Sequence, residues 1–233
     1  MDKIVEEIAR QSMLFQGVSQ AGLEQALAVG IPRSVEEGGF FFMQGDPATH
    51  AYVVVTGLVK MIQITPNGQQ ITLRMMIPGQ TYGGIAMLNP KAGYPATAQA
   101  VEDSTAIAWD TAHLRSLAEK EPSLAFNTMQ LMHGYITELQ ERQKALVTAR
   151  VEQRIARILL KLAAEAGKKV AEGILIDMPL SRQDVAEMSG TTLYTVSRTL
   201  TEWERGGLLK IGRERVVVCN PHGLVSIADD LTK

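Results

Sequence analysis

The stretch from Pro179 to Val218 constrains the fold more than any other part of this 233-residue chain. Ser181, followed three residues later by Asp184, has the form of a helix N-cap with an acidic residue at the third helical position. Val185 and Met188 supply an inward face, and Ser189-Gly190-Thr191 reads as a tight turn. Thr192 can cap a second helix whose inward residues are Val196 and Leu200. Two short helices joined by a glycine-containing turn predict a helix-turn-helix. After Gly206-Gly207, the runs Leu208-Leu209-Lys210-Ile211 and Val216-Val217-Val218 flank Gly212-Arg213-Glu214-Arg215, which reads as strand, basic turn and strand. That is the wing of a winged helix. A purely structural hairpin needs neither the wing nor the outward Thr191, Tyr194, Ser197 and Arg198; a second helix of this kind suits the DNA major groove.

Upstream the texture differs. Residues 1–30 place Ile4, Ile8, Leu14 and Phe15, then Leu23, Leu27 and Val29, at helical spacing. From about 31 to 110, short runs such as Phe40–Met43, Tyr52–Val55, Val59–Ile64 and Ile71–Met76 alternate with Gly45-Asp46-Pro47, Pro66-Asn67-Gly68, Pro78-Gly79 and Asn89-Pro90. This punctuation predicts an antiparallel roll, barrel or sandwich, with a hairpin at Pro66-Asn67-Gly68. Helix returns near Thr111, breaks at Pro122 and then runs long.

In that long helix Met129, Met132, Ile136, Leu139 and Leu146 follow steps of three and four, with Gln143 in the same seam. The stripe is narrow and flanked by Glu138, Glu141, Arg142 and Lys144, which predicts pairing with a second copy. A second stripe, Ile155, Ile158, Leu159 and Leu162, predicts a helix stopped by Gly167-Lys168-Lys169. The chain therefore divides into 1–121, a β-roll with flanking helices; 122–148, a dimerisation helix and hinge; and 149–233, the winged helix-turn-helix. The fold class is α+β.

Composition supports these readings. The net charge of −2 conceals −4 over residues 1–149, +3 over 150–218 and −1 beyond: an acidic front part and a mildly basic back part, which suits a phosphate-contacting surface there. With one cysteine, Cys219, the chain can build neither an intrachain disulfide nor a thiolate cluster, which points to the cytoplasm. No apolar run nears the roughly 18 residues of a membrane span. Four scattered histidines offer no metal set, and no nucleophile–base constellation is present, so an enzyme is not expected.

The whole chain resembles the CRP/FNR family of bacterial transcription regulators. The resemblance rests on Gly45-Asp46; Tyr52 followed by Gly57-Leu58-Val59-Lys60; Pro78-Gly79 leading to Tyr82-Gly83; the long helix running without gaps into Arg154-Ile155-Ala156; and Ser181-Arg182-Gln183-Asp184 with Ser197-Arg198. It implies a cyclic-nucleotide-binding-type sensor, a homodimer, double-stranded DNA with two-fold symmetry as partner, and RNA polymerase beside it, with no membrane partner. On it, Arg198 matches the arginine that reads guanine, and Arg182 and Thr192 match phosphate contacts. Thr191, Leu193, Tyr194, Ser197 and Arg213 complete the expected DNA surface. Many relatives carry glutamate where this chain has Tyr194, so the half-site is expected to differ.

Cyclic-AMP-binding members hold the phosphate between a Gly-Glu turn and an Arg-Ser pair. Here the turn is Gly83-Gly84-Ile85-Ala86 and the pair is replaced within Tyr94-Pro95-Ala96-Thr97, so cyclic AMP is not expected. The missing cysteines exclude the iron–sulfur branch of the family. What remains resembles its nitric-oxide- or redox-responsive members, which use haem; among His50, His113, His133 and His222, His133 is the axial-ligand candidate. The alternatives are a member regulated by abundance alone, or a nucleotide-binding regulatory module that does not bind DNA.

Overall fold

The computed structural model describes residues 3–230 and divides the chain into two compact units. The first comprises the chain through Gln69 together with Leu73–Glu138, and the second Gln70–Thr72 together with Leu139 onward.

In the first unit, α1 (Lys3–Gln11), a 3-10 turn (Met13–Phe15) and α2 (Gln20–Val29) precede a roll of β1 (Ile31–Val35), β2 (Phe40–Phe42), β3 (His50–Thr56), β4 (Val59–Ile64), β5 (Gln70–Met76), β6 (Thr81–Tyr82), a short α3 (Ile85–Leu88), β7 (Thr97–Ala100) and β8 (Ser104–Asp110). Two four-stranded sheets result, ordered β1-β8-β3-β6 and β2-β7-β4-β5. Strand β3 is apolar and buried from Ala51 to Val55 because both its faces are covered there. Ala51, Val53 and Val55 pack with Leu14, Phe15, Leu23 and Trp109 under the helices, whereas Tyr52 and Val54 face Phe42, Val59 and Ala98 inside the roll. Trp109 is fully buried and donates its indole N–H to Ala26 O at 2.8 Å. The Pro66-Asn67-Gly68 hairpin forms as expected, with Gly68 at φ 81° and its N–H on Thr65 O.

Asp110 caps α4 (Thr111–Ala118) by accepting from the N–H groups of Ala112 and His113. Pro122 opens α5 (Pro122–Thr148), where the absent N–H costs nothing. The helix is continuous across the boundary between the units.

The second unit holds α6 (Val151–Ala166), β9 (Gly167–Val170), β10 (Gly173–Ile176), α7 (Arg182–Ser189), α8 (Leu193–Arg205), β11 (Leu209–Gly212), β12 (Arg215–Val218) and α9 (Pro221–Ala228), with sheet order β11-β12-β10-β9. Gly167-Lys168-Lys169 ends the preceding helix but is more than a stop: it is the first strand of a hairpin. A Cβ on Gly167 would fall 2.0 Å from Ala163 O, so glycine permits the immediate turn from helix into strand. Among the described residues, no helix is long and apolar enough to cross a membrane.

Candidate nucleic-acid interface and sensor cavity

The helix-turn-helix is held by local chemistry. Ser181 Oγ accepts the Asp184 N–H at 3.0 Å, and the Asp184 carboxylate accepts the Ser181 N–H at 3.1 Å, forming a reciprocal capping box. Gly190 ends α7 at φ 63°, in the left-handed region that glycine enters freely. Thr192 Oγ1 caps α8 through the Thr195 N–H at 3.1 Å. From α6, Arg154 donates to Ser189 O at 2.8 Å and to Ala149 O at 2.8 Å, tying the end of α7 to the start of α6. The buried side of α8 is Val196, Thr199, Leu200 and Trp203.

These supports leave one face of α8 to solvent. Thr192, Leu193, Tyr194 and Arg198 are exposed, Tyr194 at 76%, while Thr191 and Ser197 are half-buried. Arg198 Nε lies 3.9 Å from Glu202 Oε1, a weak surface pair that a better acceptor can replace. Arg182 is exposed at the first turn of α7, where a helix N-terminus favours anions. Strands β11 and β12 pair from Leu209↔Val218 to Gly212↔Arg215, which puts exposed Arg213 and Glu214 at the wing tip. Glu214 adopts φ 51° and its carbonyl accepts the Leu180 N–H at 3.1 Å, fixing the wing beside the start of α7. All eight residues expected to contact DNA therefore lie on α7, α8, the turn between them, or the wing.

The stripe on α5 divides differently from the sequence reading. Met129, Ile136, Leu139 and Leu146 are exposed, joined by Phe126 and Val147, the latter at 82%. Met132, expected in the same seam, instead lines a cavity of about 130 Å3 inside the first unit. Gly83, Gly84, Ile85, Tyr94, Pro95 and Ala96 line it too. Three expected lining residues do not. Ala86 points into the roll core and its carbonyl accepts from Arg115. Thr97 is buried and accepts the Gln44 N–H. His133 is exposed on α5, where the neighbours Met132 and Tyr135 face the cavity instead.

Much of the rest of the wall is apolar and aromatic, with Phe42, Met61, Met76, Met87 and Leu131 among its residues. Phe42 stacks on Tyr94 with ring centroids 3.6 Å apart, and Tyr52 on Tyr82 at 5.1 Å. The Tyr94 hydroxyl accepts the His50 N–H and donates to the His50 carbonyl. The hydroxyls of Thr81 and Tyr82, both lining residues, are buried without a hydrogen-bond partner among the described residues. Burial pushes the Tyr82 phenol far above its ordinary range, so it is neutral and retains a proton to donate.

Sequence reasoning missed Arg74. It brings a cation to the cavity wall from β5, at 3.1 Å from Glu138 Oε2 on α5. Its signal was an arginine inside the otherwise apolar run Leu73–Met76. The expected haem ligand does not reach this cavity: His133 is exposed, and no histidine is among the lining residues. Among the described residues, no three His, Cys, Asp or Glu side chains cluster to hold a metal ion.

A β-roll followed by a capped helix-turn-helix and a basic wing is the arrangement of a DNA-binding regulator. The cyclic nucleotide-binding domain model matches residues 32–121, and the Crp-like helix-turn-helix domain model matches residues 153–227. A CRP-like cAMP-activated global transcriptional regulator of Mycobacterium tuberculosis is 22% identical over 222 residues, covering 94% of this chain and 98% of that protein. The global nitrogen regulator of Synechococcus elongatus is 29% identical over 192 residues, covering 81% and 86% respectively. The solved structure of FixK2 from Bradyrhizobium japonicum superposes with a TM-score of 0.77 at 24% identity, over 85% of this chain and 97% of its own. The chain belongs to the CRP/FNR family and is a DNA-binding transcription regulator with a cyclic-nucleotide-binding-type domain.

Proposed function

We propose that this regulator works in the cytoplasm as a homodimer that presents two copies of α8 to a two-fold DNA site, beside RNA polymerase, under control of an effector other than cyclic AMP. The observation that carries this reading is the exposed apolar stripe of α5. Phe126, Met129, Ile136, Leu139, Leu146 and Val147 leave water only if a second helix covers them. The three-and-four spacing suits a parallel coiled-coil seam, with Gln143 setting register at some cost in stability.

Within each half-site, Arg198 would reach guanine O6 and N7, while Arg182, Thr192 and Arg213 contact phosphate and set the docking angle. Tyr194 can donate a hydrogen bond or pack on a thymine methyl, but it cannot accept a cytosine amine as a carboxylate does. The half-site therefore differs from one read by glutamate. Against cyclic AMP stand Gly84 and Pro95, which offer neither a carboxylate for the ribose nor a cation for the phosphate. Division into sensor 1–121, helix and hinge 122–148, and DNA-binding region 149–233 assigns the dimer seam to the middle segment. Sedimentation of Ile136→Ala/Leu139→Ala tests the reading. A dimer weakened by tenfold or more supports it, and an unchanged monomer–dimer constant overturns it.

A further inference from the structure

The sensor cavity combines features that together select a ligand. Its volume of about 130 Å3 is close to that of an apolar protein cavity that takes up benzene, about 150 Å3. Its wall carries Phe42, Met61 and Leu131, surfaces for a ring. Against this apolar wall stands one cation, Arg74. A purely apolar ligand would make no use of Arg74, and a purely ionic one would leave the aromatic wall uncovered.

Resting on the reading of this roll as an effector sensor, we propose that the cavity binds a small single-ring carboxylic acid as its anion, with the ring on the apolar wall and the carboxylate taking Arg74 from Glu138. Arg74 and Glu138 are each partly buried, so the exchange gives Arg74 one charge-assisted contact for another and releases the Glu138 carboxylate, which keeps enough exposure to be hydrated. A guanidinium suits a planar carboxylate, which it can hold through two parallel N–H bonds. Glu138 is the last sensor-unit residue of α5; after it the helix belongs to the second unit. Ligand exchange at Arg74 thus alters the helix at the point where it leaves the sensor.

Isothermal titration of the full-length protein with benzoate, benzamide and acetate tests the proposal. Benzoate is expected to bind at least tenfold more tightly than benzamide, which has the ring without the charge, or acetate, which has the charge without the ring. Arg74→Gln should remove the preference for benzoate over benzamide. Glu138→Gln, which removes the competing carboxylate, should tighten benzoate binding severalfold. Absence of benzoate binding up to 10 mM (on the order of 3 kcal/mol at that limit) by protein whose circular dichroism shows it folded overturns the proposal. So does equal binding of benzamide, or benzoate affinity unmoved in both variants. DNA retardation by the same preparations is scored separately. Protein that binds DNA but not benzoate defeats only this proposal, and protein that binds benzoate but not DNA defeats the regulatory reading.

Discussion

Removing the hydroxyl of Tyr82 should stabilise the sensor, whereas removing that of Tyr94 should destabilise it. Both rings lie in one aromatic cluster, and both phenols are pushed up by burial. They differ in partners. Tyr94 Oη bonds the N–H and the carbonyl of His50 at 3.0 and 2.9 Å, while Tyr82 Oη is buried with none among the described residues. A buried hydroxyl left unsatisfied costs about 1–3 kcal/mol, and breaking bonds to buried backbone groups costs a similar amount. Tyr82→Phe keeps the stack on Tyr52 and discards only the penalty, a gain of about 1 kcal/mol. Tyr94→Phe keeps the stack on Phe42 but strands two His50 groups, a loss of about 1–3 kcal/mol. Urea unfolding followed through Trp109, in a Trp203→Phe background, reads the sensor alone. With a denaturant slope of about 1–3 kcal/mol per molar, the two midpoints should lie roughly 1 M apart, on opposite sides of the parent. If Tyr82→Phe falls as far as Tyr94→Phe, the phenol of Tyr82 has a native partner and the description of the cavity is wrong.

Other consequences are as specific. Arg198→Ala should cost about 1–3 kcal/mol of specific DNA binding while leaving non-specific binding nearly intact, read by gel shift against random duplex. Gly190→Ala forces an L-residue to φ 63° and should destabilise the second unit by about 1–2 kcal/mol; its new Cβ would meet only the end of Leu146, which is exposed and can move, so a much larger loss in thermal unfolding would contradict this account. At Asp110, burial opposes ionisation but the N–H groups of His113 and Ala112 prevail and hold the carboxyl below its ordinary value. A depressed carboxyl stabilises the fold above its unfolded pKa and loses that contribution as pH falls through the folded one. Asp110→Asn should therefore flatten the acid limb of sensor stability, and an unaltered limb would contradict the cap.

What was legible in the sequence was mostly local. Ser181 with Asp184, Gly190 and Thr192 announce their helix ends because caps and left-handed turns are satisfied within four residues. Features that depend on distant partners were not legible. Lys168 and Lys169 look like the cationic end of a helix; only the pairing of Gly167–Val170 with Gly173–Ile176 makes them a strand. The heptad pattern groups Met132 with Met129 and Ile136, but the roll beside the helix turns Met132 inward. One residue along α5 is about 100° of rotation, which separates His133 from the cavity that Met132 reaches. Arg74 became a site residue only when β5 was folded against α5.

Reading of a two-fold DNA site by the exposed side chains of α8 underlies the proposed function. Selection of bound duplexes from a random pool, by the parent protein and by Arg198→Ala in parallel, tests it most directly. The account predicts a two-fold symmetric consensus for the parent, containing a guanine in each half-site whose enrichment is lost with Arg198→Ala. A pool that stays random, or one enriched identically by both proteins, would contradict it.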